Sequence, residues 1–161
     1  MGQKLKSRLL IRWLVIAVAV ASLAQAPSFA IQNPPQAGAP PTEDPHMAEE
    51  QAAERQALGF LGYLDQGRYA DSYAYTGMLI RAQLDRDAYA TQIAKTRAGV
   101  GTLQSRELVD AGYTTTVSGA PEGQYVILHY QASFANRPDA VETVYLGLAK
   151  GYWRVDGYNI K

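Results

Sequence analysis

The spacing of apolar and polar positions changes once along this chain, from helical before Gly101 to strand-like after it. Ala53, Ala57, Phe60, Leu61 and Leu64 recur at i, i+4, i+7, i+8 and i+11. That spacing puts them on one stripe of a helix over about Met47 to Gln66. Glu49, Glu50 and Glu54 suit its dipole-positive start, and Gln66-Gly67 closes it. Gly59 and Gly62 cost helix propensity; they would either let another element approach closely or leave loose packing. Tyr69 to Thr76 reads as a short second helix, with Tyr69/Tyr73 and Ala70/Ala74 as i, i+4 neighbours. Met78 to Leu84 reads as an apolar connector. Asp85 is a suitable N-cap for a third helix, which runs to about Ala98 and buries Tyr89 and Ile93. Gly99 and Gly101 end it.

Beyond Gly101 four runs alternate with period two. The first covers about 102–117, with a bulge expected near Ala111-Gly112. The second is Gln124 to Ala135. It has Val126, Leu128, Tyr130, Ala132 and Phe134 on one face, and Tyr125, Ile127, His129, Gln131 and Ser133 on the other. After a turn at Asn136 to Asp139, the third run is Ala140 to Ala149, with Val144, Leu146 and Leu148 sharing a face. Lys150-Gly151 turns into the fourth, Tyr152 to Ile160, where Trp153 and Val155 share a face. Helices followed by consecutive strands predict an α+β fold, with about three N-terminal helices packed on a curved four-stranded antiparallel sheet. This order resembles the cone-shaped nuclear-transport-factor-two-like fold, whose concave face often holds a pocket.

The start of the chain reads as an address rather than structure. Residues 1–30 contain Lys4, Lys6, Arg8 and Arg12 and no acid, and Trp13 to Ala24 has only Ser22 polar. That is the layout of a secretory signal peptide. A spanning helix needs about 20 apolar residues, and Gln25, Pro27 and Ser28 interrupt this stretch early. Ser28-Phe29-Ala30 is the preferred cleavage signal, because Pro27 would follow a cut after Ala26. Retention as an uncleaved anchor is the alternative. Otherwise the membrane is met only in transit, and a periplasmic or secreted location is expected. Residues 31–46 hold five of the eight prolines and read as an extended tether. A single domain over 47–161 remains, enough for one modest core.

Charge and composition narrow the function classes. Residues 31–161 carry 11 basic against 15 acidic side chains, about −4, which argues against a nucleic-acid partner. The absence of Cys rules out a disulfide framework and a thiolate site. No metal-ligand spacing occurs and no cofactor is expected. Gly99-Val100-Gly101 follows a helix and precedes a strand, the wrong order for a phosphate cradle. No nucleophile motif is present, and no catalytic residue is assigned. His46 falls in the tether. His129 lies mid-strand opposite the apolar stripe, where a solvent-facing or interface role suits it better than general base.

Two constellations remain. Arg106 shares parity with Leu108, and Glu142 with Val144 and Leu146, so both should face the covered side of the sheet. Charges there must pair. They form either a self-satisfied ion pair or the floor of an anion-binding pocket lined by Arg106, Tyr130, Glu142 and Trp153. The chain also has 11 Tyr against three Phe. Tyr125, Ile127, His129 and Tyr145 could form an outer-face patch for a homodimer or saccharide, or simply be strand-facing side chains.

Several stretches together resemble the bacterial family catalogued as domain of unknown function 4019. They are Arg97 to Arg106, Ala120 to Val126, Tyr130 to Ala135, Val141 to Val144, and Gly151 to Tyr158. The resemblance covers most of 47–161 and implies an exported domain, but no activity. The function expected is therefore a non-catalytic binding or interaction module for an unidentified small ligand or protein partner. The alternatives are a cone-fold enzyme using Glu142 as acid/base, and a structural homodimer through the outer sheet face.

Overall fold

The computed structural model describes residues 44–161. The expected signal segment and most of the tether lie outside them. Helix α1 is Met47–Asp65, α2 is Tyr69–Ser72, a 3-10 turn covers Tyr73–Tyr75, α3 is Met78–Arg81 and α4 is Arg86–Thr96. Strands β1 (Leu103–Thr114), β2 (Tyr125–Phe134), β3 (Arg137–Ala149) and β4 (Tyr152–Ile160) follow, paired antiparallel in sequence order. The fold is α+β, with helices on one face of an open four-stranded sheet.

The predicted stripe is the buried face of α1: Ala53, Ala57, Phe60, Leu61 and Leu64 are each at most 1% exposed. This helix touches all four strands. Gly59 allows close approach, since a Cβ there would stand 2.6 Å from the Tyr75 ring. Opposite α1, Val126, Leu128, Tyr130, Val144, Leu146, Trp153 and Val155 form the main core. Asp85 caps α4 as expected, its Oδ1 accepting from the N–H groups of Asp87 and Ala88. The Lys150-Gly151 hairpin has positive φ at both central residues (51° and 81°), as a type I′ turn requires.

Four details differ from the sequence reading. The connector after Gly77 contains a helical turn, α3, anchored where the Gly77 N–H donates to the Val155 carbonyl at 2.8 Å. The third strand begins earlier, at Arg137. The register of β1 slips at Val109, between the pairs Leu108↔Tyr130 and Asp110↔His129, and also at Gln104, between Leu103↔Phe134 and Ser105↔Ser133, rather than near Ala111-Gly112. A bulge not foreseen sits at Asp156 in β4, where Tyr145 pairs with Gly157 but Leu146 with Val155. Each bulge reverses the parity of the residues beyond it.

His46 is also placed differently. Rather than lying in a loose tether, it precedes α1 directly and stacks on Tyr113 of β1, ring centroids 3.8 Å apart and planes 13° apart. Glu50 reinforces this contact by accepting from the Tyr113 N–H at 3.1 Å.

Candidate functional site

Arg106 and Glu142 do face inward, and they meet. Arg106 Nε donates to Glu142 Oε2 at 2.6 Å. They are half of a larger arrangement. The other Arg106 nitrogens donate to Asp65, at the end of α1, at 2.7 and 2.9 Å. Arg97, just after α4, donates to Asp65 at 2.7 Å and to Glu142 Oε1 at 2.7 Å. Two arginines and two carboxylates thus alternate in a closed, charge-neutral ring. Tyr158 of β4 completes it, its hydroxyl donating to Glu142 Oε1 at 2.6 Å and accepting from Arg97 at 3.0 Å.

The ring is buried. The side chains of Glu142, Arg97 and Arg106 are 0%, 4% and 9% exposed, and that of Asp65 is 19% exposed. Burial opposes the charge on both guanidinia, but Tyr158, Glu142 and Asp65 outweigh it at Arg97, and Asp65 and Glu142 at Arg106, holding both above the ordinary arginine value. Burial, then the adjacent Glu142 carboxylate, pushes the Tyr158 phenol well above its usual value. Arg97 also lies 4.6 Å over the Phe134 ring.

Of the four residues expected to line a pocket, three come together. Tyr130 pairs with Glu142 across β2 and β3. Its hydroxyl is buried and has no partner among the described residues. Trp153 does not join them. It pairs with Leu148, six residues along β3 from Glu142, which is about 20 Å at the usual strand rise. It belongs to the apolar core at 6% exposure. The outer-face set also needs correction at Tyr125. This residue is buried under the β1–β2 connection, with its hydroxyl donating to the Pro121 carbonyl at 2.7 Å, and so offers little surface. Ile127, His129 and Tyr145 are half-buried on that face, His129 Nδ1 standing 3.2 Å from Asp110 Oδ2.

Asp65, Arg97 and Tyr158 were missed, and two of the three had a signal. Asp65 follows Ala57 and Leu61 at steps of four, and Arg97 follows Tyr89 and Ile93 likewise. Both carry a polar group at the end of an apolar stripe. Tyr158 had none, because the Asp156 bulge reverses its parity.

An open cleft lies elsewhere, at the β4 edge beneath α3 and α4. It encloses about 210 Å³ and is lined mainly by Phe60, Leu79, Ile80, Leu84 and Ile93, with Asp156 and Tyr158 from β4. Tyr158 therefore borders the cleft while its hydroxyl belongs to the ion ring. Asp156 Oδ1 accepts from the Leu79 N–H at 3.0 Å, capping α3, whose own N-cap is Gly77. Burial raises the Asp156 carboxyl above the usual range, and the Leu79 N–H offsets part of this. Among the described residues no group of three or more His, Cys, Asp or Glu side chains is placed to hold a metal ion.

These features define a small open-sheet α+β domain with a buried ion ring on its inner face and a cleft at one sheet edge. The chain belongs to the family described as Protein of unknown function (DUF4019), whose model matches residues 56–158, from within α1 through most of β4. No curated protein matches the chain.

Proposed function

We propose that this domain is a non-catalytic binding module that takes a small, largely apolar molecule into the cleft beneath α3 and α4. The observation that carries this reading is the saturation of Glu142. Both of its oxygens are held by arginines and one also by Tyr158. An acid/base catalyst needs a proton-exchanging oxygen within reach of substrate, and Glu142 presents none. The cleft, in contrast, is concave, apolar and edged by a few polar groups, the usual make-up of a small-molecule site. The reading includes export, supported by the basic, apolar and small-residue order of residues 1–30.

Native mass spectrometry of protein purified from its own host under non-denaturing conditions tests this. A retained small-molecule mass that disappears in Ile80→Trp, which fills the cleft, is the expected result. A mass that survives Ile80→Trp but disappears in Arg106→Ala would return the site to the ion ring. N-terminal sequencing of the same material should begin at Ile31.

A further inference from the structure

Among the described residues Asp156 is a half-buried acid without an ion pair, as are Glu49, Glu50 and Glu54 of α1, but unlike those three it lines the cleft. Asp65 and Glu142 are neutralised by two arginines each. Among the described residues no ion pair involves Asp156, whose carboxylate accepts one hydrogen bond, at Oδ1. The nearby arginine of α3, Arg81, is turned away, donating to the Thr76 and Tyr73 carbonyls.

The backbone is shaped around this carboxylate. It sits on the extra residue of the β4 bulge, which aims it off the regular strand alternation. Glycines occupy both positions that crowd it. A Cβ on Gly77 would collide with Oδ1, and one on Gly147 would stand 2.6 Å from Oδ2. The same point above Gly147 lies 3.2 Å from the Tyr125 ring, on the side of the smaller hollow that Tyr125 and Gly147 line. Asp156 also lines both neighbouring hollows: the apolar cleft of about 210 Å³, and a smaller one of about 150 Å³ under the Pro121 to Gln124 connection.

We infer that Asp156 is the recognition group of the cleft and selects a ligand carrying a positively charged nitrogen on an apolar stem. The nitrogen donates to the Asp156 carboxylate, and the stem lies against Leu79, Ile80 and Ile93. This inference rests on the proposed binding reading and names its ligand class. Three physical points support it. An ammonium supplies the counter-charge that the fold withholds from Asp156, and a charge-assisted bond in a half-dry site is stronger than a neutral one. A carboxylate ligand would meet like charge and be rejected. The excess of acidic side chains over residues 31–161 also draws cations toward the domain.

The test uses three probes of one shape and different charge: n-hexylammonium, n-hexanol and hexanoate. Each is titrated into ¹⁵N-labelled protein at neutral pH while the amide resonances of Leu79, Gln83, Ile93 and Gly157 are followed. The ammonium should saturate at about tenfold lower concentration than the alcohol, with hexanoate weakest. In Asp156→Asn the ammonium should fall to the level of the alcohol. Asparagine keeps an acceptor for the Leu79 N–H and the shape of the side chain, so α3 stays capped. Ile80→Trp should abolish the response to all three. Equal binding of ammonium and alcohol, or a preference that persists in Asp156→Asn, would overturn the charge assignment and leave the binding reading standing. Shifts confined to Pro121 through Gln124 would overturn the placement of the stem. No response to any probe would overturn both readings.

Discussion

Glu142 has no solvent exposure, and each of its oxygens meets a guanidinium. Removing one partner from such an arrangement leaves a buried charge uncompensated, at a cost of about 3–5 kcal/mol. Arg97→Ala should destabilise the domain by that order in urea denaturation, and Glu142→Gln should do the same by turning an amide N–H toward the arginines. An exposed pair, such as Arg86 with Asp71, should give less than about 1 kcal/mol when broken. Asp156 obeys the opposite logic. Burial raises its carboxyl in the folded state, so the folded form holds the proton more tightly than the unfolded form. Its contribution is fully present below the unfolded pKa and is lost as pH rises through the folded one. Asp156→Asn escapes that loss. The melting temperature of the variant minus that of wild type should therefore increase between about pH 3 and pH 7.

At the scale of elements, α3 exists because another element completes it. It has four residues, too few to form alone, and its N-cap is a glycine without a side chain. The Val155 carbonyl fixes its start and Asp156 caps its first turn from across the sheet edge. Gly77→Ala should displace Asp156 and destabilise the domain by about 1–3 kcal/mol. In an Asp156→Ala background the same change should cost measurably less. A double-mutant cycle by denaturation reads this coupling directly, and additive costs would show that the two positions are independent.

At the scale of the whole domain, α1 is the tie between layers. Its apolar stripe lies on all four strands, its C-terminal Asp65 enters the ion ring, and its N-terminal end is held on β1 by His46 and Glu50. The ends of the helix are therefore fastened by polar contacts and its middle by apolar ones. His46→Ala removes the stack on Tyr113, a contact of about 0.5–1.5 kcal/mol beyond its buried area. A fall of about 3–8 °C in the thermal midpoint is expected by circular dichroism.

The sequence by itself determined the α+β class, the buried stripe of α1, the cap at Asp85, the strand order and the inward pairing of Arg106 with Glu142. Each follows from local periodicity or from the cost of burying an unpaired charge. The tertiary structure decided the rest. Asp65 and Arg97 sit on different helices, and their convergence with two strands depends on how the layers pack. Tyr158 and Asp156 take their directions from a bulge, a one-residue slip with no periodic signature. Trp153 has the right parity for the inner face but stands too far along the strand to reach Glu142, because parity gives a face and not a position along it. The cleft is the space left between α3, α4 and the sheet edge, a property of packed elements that no single stretch of sequence contains.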